Sequence, residues 1–159
     1  MSLTRVIKRD SLMDQINRST FTVTDPVYSV VSVADAGVLS NVALADRLLA
    51  VISDRLFGEM SLVIESSALA EITLRDGCKA QNGYRCIRFA LFLPFDGAGF
   101  IATLTGAISR RGINLLCLSG YSCDYILVKD SELNEAVRAL KEFGMKEKSQ
   151  EGGTTEIPR

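Results

Sequence analysis

The chain has 159 residues, enough for one ordinary domain or two very small ones, and 47% of them are hydrophobic, enough for a real core. Its 18 basic and 19 acidic residues nearly cancel and form no basic stripe, which argues against a phosphate-binding surface and a nucleic-acid partner. Histidine is absent altogether, which removes the commonest general base, the Ser-His and Cys-His nucleophile pairs and the commonest metal ligand together.

No apolar run approaches the roughly 20 residues needed to cross a bilayer, and the start MSLTRVIKRD lacks the apolar core of a signal peptide, so a cytoplasmic protein is expected. The cysteines, Cys78, Cys86, Cys117 and Cys123, fall at irregular spacings with no CxxC pair and read as thiols filling space, with neither a metal nor a disulfide framework. No GxxxxGK[ST], GxGxxG or HExxH motif occurs, and no cofactor is expected.

Residues 1–24 are polar, mixed in charge and without sustained periodicity, and are expected to be loose. VYSVVSV (27–33) reads as a strand. The next stretch is ambiguous. Ser40 can cap a helix carried by Leu44, Leu48, Ile52 and Leu56 at a spacing of four, yet LLAVI (48–52) and SLVIE (61–65) are also runs of strand length, with SDRLFGE between them as a turn. Pattern alone leaves both open. RDGCKAQNG (75–83) collects glycine, asparagine and aspartate and marks the boundary between two halves near Asp76–Gly83.

The second half is regular. CIRFALFL (86–93) alternates Ile87, Phe89, Leu91 and Leu93 with other residues, as a strand buried on one face does, and Pro94 helps to end it. Asp96 can cap a helix in which Phe100, Leu104 and Ile108 recur every four residues, stopped by Arg110, Arg111 and Gly112. INLLCL (113–118) and DYILVK (124–129) follow as a hairpin around Ser119-Gly120. Asp130 or Ser131 can cap a further helix with Leu133, Val137 and Leu140 on one face, ended by Gly144, and Met145–Lys148 is a short edge strand. The tail SQEGGTTEIPR (149–159) is expected to be loose. Strand, helix, strand, strand, helix, strand is the ferredoxin-like βαββαβ order, an α+β fold that by itself names no function.

GYRCIRF (83–89), LPFDGAGFIATL (93–104) and INLLCLSGYSCDYILVKDSELNEAV (113–137) resemble ACT domains, in the branch of small tandem-ACT proteins related to the CASTOR arginine sensors. The pattern is matched at Gly83, Tyr84, Phe95, Asp96, Gly99, Leu118, Ser119, Tyr121, Asp124, Leu127 and Val128. The resemblance implies a complete ACT domain over 83–148 and an abbreviated unit over 25–80, and with it strands, not a long helix, at LLAVISD and MSLVIES. It further implies that such units pair side by side, and that the loop from the first strand to the first helix faces the neighbouring unit.

The candidate ligand residues are Asp96, Gly97, Ala98, Gly99 and Phe100 at the helix start, and Gly120, Tyr121 and Asp124 in the hairpin. Small residues let a ligand approach the backbone, and a helix N-terminus offers unpaired N–H groups to a carboxylate. Asp124 can receive an ammonium. Asp96 serves equally well as an ordinary cap, and Tyr121 and Asp124 equally well as a rim aromatic and a turn residue. The arginine sensors carry an acidic residue where this chain has Gly97 and a hydroxyl residue where it has Gly120, so the resemblance does not extend to arginine as the ligand. The expectation is therefore a non-catalytic regulator that binds a small molecule, an amino acid, pairs as a homodimer and acts on a protein partner in trans, with no catalytic domain fused to it. The alternative is a structural pairing module with a vestigial site.

Overall fold

The computed structural model describes residues 12–33, 46–71, 79–90 and 98–150. Helix α1 (Leu12–Arg18) is followed by strands β1 (Thr20–Val33), β2 (Leu48–Asp54) and β3 (Glu59–Glu65) and a 3-10 turn at Ser66–Glu71. Strand β4 (Lys79–Ala90), helix α2 (Phe100–Ser109), strands β5 (Leu115–Ser119) and β6 (Cys123–Lys129), a 3-10 turn at Asp130–Glu132, helix α3 (Leu133–Glu142) and strand β7 (Lys146–Glu147) complete the order. The described strands form one sheet in the order β2-β3-β1-β4-β6-β5, with β7 beside β1. The fold is α+β, in agreement with the expected ferredoxin-like units.

The expected strands at LLAVISD and MSLVIES both form, and the turn between them explains why the spacing of four misleads. Asp54 Oδ1 accepts hydrogen bonds from the backbone N–H of Leu56 and of Phe57, at 2.9 and 3.3 Å, and Gly58 takes the positive φ of 63° that closes the hairpin. Leu56, the last member of the helical series, sits on that turn, 93% exposed.

The N-terminal segment departs from expectation. Residues up to 24 contribute α1 and the opening of β1, because two of their side chains are core pieces: Ile16 and Phe21 are fully buried in the main cluster with Phe89, Leu104, Ile126 and Leu140. Two apolar residues separated by polar ones show no period, so the sequence carries no sign of this packing. The boundary cluster is also shorter than expected. Lys79–Gly83 is already strand β4, paired with β1 through Val30–Gln81, Val31–Ala80 and Ser32–Lys79, and Gly83 at φ 78° accompanies the register shift between Tyr28 and Val30.

Phe100, Leu104 and Ile108 are all buried, as their spacing predicts. The caps differ. α2 begins at Phe100 with Gly99 at the cap position, φ 88°, and no side-chain cap bond, while Asp96 and the stretch Leu91–Leu93 lie outside the described residues. Asp130 does not cap α3; it pairs with Arg85 at 3.2 Å, and α3 starts after the 3-10 turn. The expected edge strand near Met145–Lys148 is β7, but it pairs in parallel with Thr20 and Phe21 of β1, because the start of β1 already occupies the place beside β4.

Leu104→Ala should cost about 2–5 kcal/mol, since it empties a fully buried position in the helix stripe. Gly144 has φ 101°, and a Cβ there would lie 2.8 Å from Asn17 Oδ1. Gly144→Ala should therefore destabilise by at least about 1 kcal/mol through the left-handed backbone alone. Adding Asn17→Ala should recover only the steric part. Denaturant melts of the two single variants and the double variant test both expectations.

Candidate functional site

β4 ends at Ala90, α2 starts at Phe100 and the β5–β6 hairpin turns at residues 120–122. The register brings these to one end of the sheet: Ala90 lies opposite Cys123, Phe89 opposite Asp124, and Asp124 opposite Ser119. Alternation along β6 puts Asp124 on the same face as Ile126 and Val128, which join the helix-covered core. The Phe89 ring meets Phe100, the first residue of α2, edge to face with centroids 6.5 Å apart. Asp124 and the start of α2 thus share one end of the covered face.

Asp124 is only 8% exposed, and among the described residues no hydrogen bond or ion pair reaches its carboxylate. A buried charge without a partner is costly to the fold. Beyond the hairpin, Gly120 N–H donates to the Cys123 carbonyl at 2.9 Å, and a Cβ at Gly120 would lie 3.0 Å from that oxygen, so the tight turn accounts for the glycine. Tyr121 projects outward, 90% exposed.

At the helix start, Ala98 and Gly99 are exposed, whereas the Phe100 side chain is 2% exposed and belongs to the core, leaving only its backbone N–H for a ligand. Among the described residues Thr103 N–H is the first amide of α2 to bond back, to the Gly99 carbonyl at 2.9 Å, and no described side chain caps the amides before it. Asp96 and Gly97 fall outside the described residues. The structure therefore brings Asp124, Gly120 and Tyr121 to the same sheet end as Ala98, Gly99 and the α2 amides. Ser119 and Phe89, which flank Asp124, were not among the expected ligand residues; cross-strand neighbours follow from register, and only the length of the hairpin hints at it.

The thiols differ in environment. Burial, only partly relieved by a hydrogen bond with Thr24, pushes Cys86 up to about 11 from its ordinary value. Burial and then the charge of Asp124 raise Cys117. Neither is a prepared nucleophile. Among the described residues no group of His, Cys, Asp and Glu side chains could hold a metal ion, and no helix is long and apolar enough to cross a membrane. A surface depression at the C-terminal end of α3, lined by Lys141, Met145, Lys146, Glu147 and Ser149, holds none of the expected site residues.

Residues 79–142, from the start of β4 to the end of α3, match the ACT domain family model. Among solved structures, the chain is similar to a Vibrio cholerae protein described as of unknown function and a possible transport protein, at 19% identity and TM-score 0.67, over 85% of this chain and 97% of that one. It is similar to an Agrobacterium tumefaciens protein at 20% identity and TM-score 0.63, over 87% and 98% of the two chains. The regulatory subunit of aspartate kinase from Thermus thermophilus aligns at 12% identity and TM-score 0.54, over 78% of this chain and 94% of that subunit. These likenesses show a shared fold. No curated protein matches the chain.

The Cys86 environment makes a testable link to stability. Folding holds this thiol above its ordinary value, so its protonated form favours the folded state; that contribution is intact below about pH 9 and is lost as the pH climbs to about 11. The wild type should lose about 2–3 kcal/mol more than Cys86→Ala across that window, read as the pH dependence of denaturant unfolding for each protein.

Proposed function

We propose that this chain is a non-catalytic regulatory protein of the tandem-ACT kind, close to the branch of the CASTOR sensors, that binds an amino acid at the sheet end carrying Asp124. The observation that carries the reading is Asp124 itself: a carboxylate 8% exposed, with no described partner, at the same sheet end as a helix start that no described side chain caps. The ligand's ammonium pairs with Asp124, and its carboxylate takes the open amides of α2 together with the segment Asp96, Gly97, Ala98 and Gly99. Gly120 and Tyr121 form the rim. The ACT match over 79–142 and the likeness to an aspartate kinase regulatory subunit support a regulatory role.

In this reading the unit over 25–80 is an abbreviated ACT partner for the unit over 83–148, and ligand binding biases how they pair and thereby the affinity for a protein acted on in trans, in the cytoplasm. A second reading, a structural homodimerisation module, is favoured by a different observation. Strand β2 is a sheet edge, and with its turn it exposes Val51, Ile52, Leu56 and Phe57.

Thermal melts with each of the twenty amino acids separate the two. One amino acid should raise the melting temperature by mass action, and Asp124→Asn should weaken its binding ten- to a hundredfold by calorimetry, the size of a lost charge-assisted contact. Without ligand, Asp124→Asn should melt close to the parent, because no described group pairs with the carboxylate that the substitution removes. If no amino acid shifts the melt while light scattering shows a stable dimer, the structural reading stands instead. An unliganded Asp124→Asn that melts far below the parent would make Asp124 a structural residue.

A further inference from the structure

The sheet face opposite the helices carries a second, separate arrangement. Its apolar cluster, Tyr28, Val63, Tyr84, Cys86 and Leu127 with Leu116, Leu118 and Tyr125 packed against it, consists of strand residues alone. One cation stands on this face of β4: Arg88, directly opposite Tyr125, which is in turn opposite Leu118. Both Arg88 and Tyr125 are part exposed. Among the described residues no carboxylate pairs with Arg88; its neighbours are the Tyr125 phenol and the Cys123 thiol, both polar but neutral groups.

The Cys123 thiol and the Tyr125 hydroxyl form a hydrogen-bonded pair, Sγ to Oη 3.0 Å, beside the guanidinium. Burial, and then the bond with Cys123, raise the Tyr125 phenol above its ordinary value, so it remains a donor at neutral pH. Two donors, one of them a permanent cation, thus stand side by side at the edge of an apolar patch whose part-exposed members are Leu116 and Leu118.

We infer that Arg88 and Tyr125 bind the carboxylate of a small organic acid whose apolar body lies on the sheet face opposite α2 and α3, at a site distinct from the one at Asp124. An organic acid fits better than inorganic phosphate because Arg88 and Tyr125 stand beside leucines, while the other described cation of this face, Lys129, is four residues further along the strand pairing, over the Tyr84 ring at 3.9 Å. Cys123 reports on the site. An anion bound at Arg88 and Tyr125 covers the Cys123 thiol, 3.0 Å from the phenol oxygen, and so slows its alkylation.

The test uses the full chain and 4-methylpentanoate, a carboxylate without an ammonium group, with alkylation by iodoacetamide read residue by residue by mass spectrometry. Saturating carboxylate should slow Cys123 about tenfold and leave Cys117, on the other face beside Asp124, unchanged. The protection should disappear in Arg88→Met, weaken in Tyr125→Phe, which removes only the hydroxyl, and persist in Asp124→Asn. Equal protection by inorganic phosphate would overturn the organic-acid assignment. Protection of Cys117 in place of Cys123, loss of protection in Asp124→Asn, or full protection in both Arg88→Met and Tyr125→Phe would overturn the site.

Discussion

The antiparallel pairing of β1 with β4 is the constraint on which the rest of this structure depends. It runs from Thr20–Ala90 to Ser32–Lys79 and joins two strand sets, β2-β3-β1 and β4-β6-β5, into one sheet. Read from either end, that order is the same when β1, β2 and β3 are matched to β4, β5 and β6. A seam that would otherwise need two chains is thus closed within one, and Phe21 is carried against Phe89, with ring centroids 6.4 Å apart, to finish the core beneath α2 and α3. The pairing must also tolerate Asp25-Pro26. Proline has no N–H to give to a ladder, and the register breaks between Val23 and Val27, around that pair.

The matched halves are not equal in charge. Met60 in β3 lies opposite Ser53 and Val33, as Asp124 in β6 lies opposite Ser119 and Phe89. One sheet end is apolar, the other holds a nearly buried carboxylate. Fold stability alone gives no reason for the difference, because a methionine at such a position fills space without the desolvation cost of a charge.

What could be read from the sequence divides along physical lines. The helix of Phe100, Leu104 and Ile108 and the strands around Ile87 and Leu127 were legible because a repeating buried face leaves a repeating pattern. α1 and the start of β1 were not, since Ile16 and Phe21 are isolated apolar residues whose burial is decided by distant partners. The helix cap at Asp130 was misplaced for a related reason. A capping residue type marks a turn, and whether its side chain turns to the helix or, like Asp130, to Arg85 depends on what folds beside it. Within the site, Gly120 and Asp124 were visible by residue type and spacing, but that Asp124 is buried without a described partner emerges only when β5 and β6 close around it. The trio of Arg88, Cys123 and Tyr125 was hidden altogether, being drawn from two strands far apart in the chain.

β1 hydrogen-bonds to three strands: β3 and β4 along its length, and β7 at its start. The border between the two halves therefore runs along a strand pairing. Modular exchange, in which a ligand-binding unit is swapped between proteins at a flexible joint, is closed to this architecture unless the incoming unit also brings edges complementary to Thr20–Val23 and Val27–Ser32. Such a chain diverges by substitution within a fixed sheet, so any change in ligand preference would be written in side chains at the sheet ends while the order of the strands stays as it is.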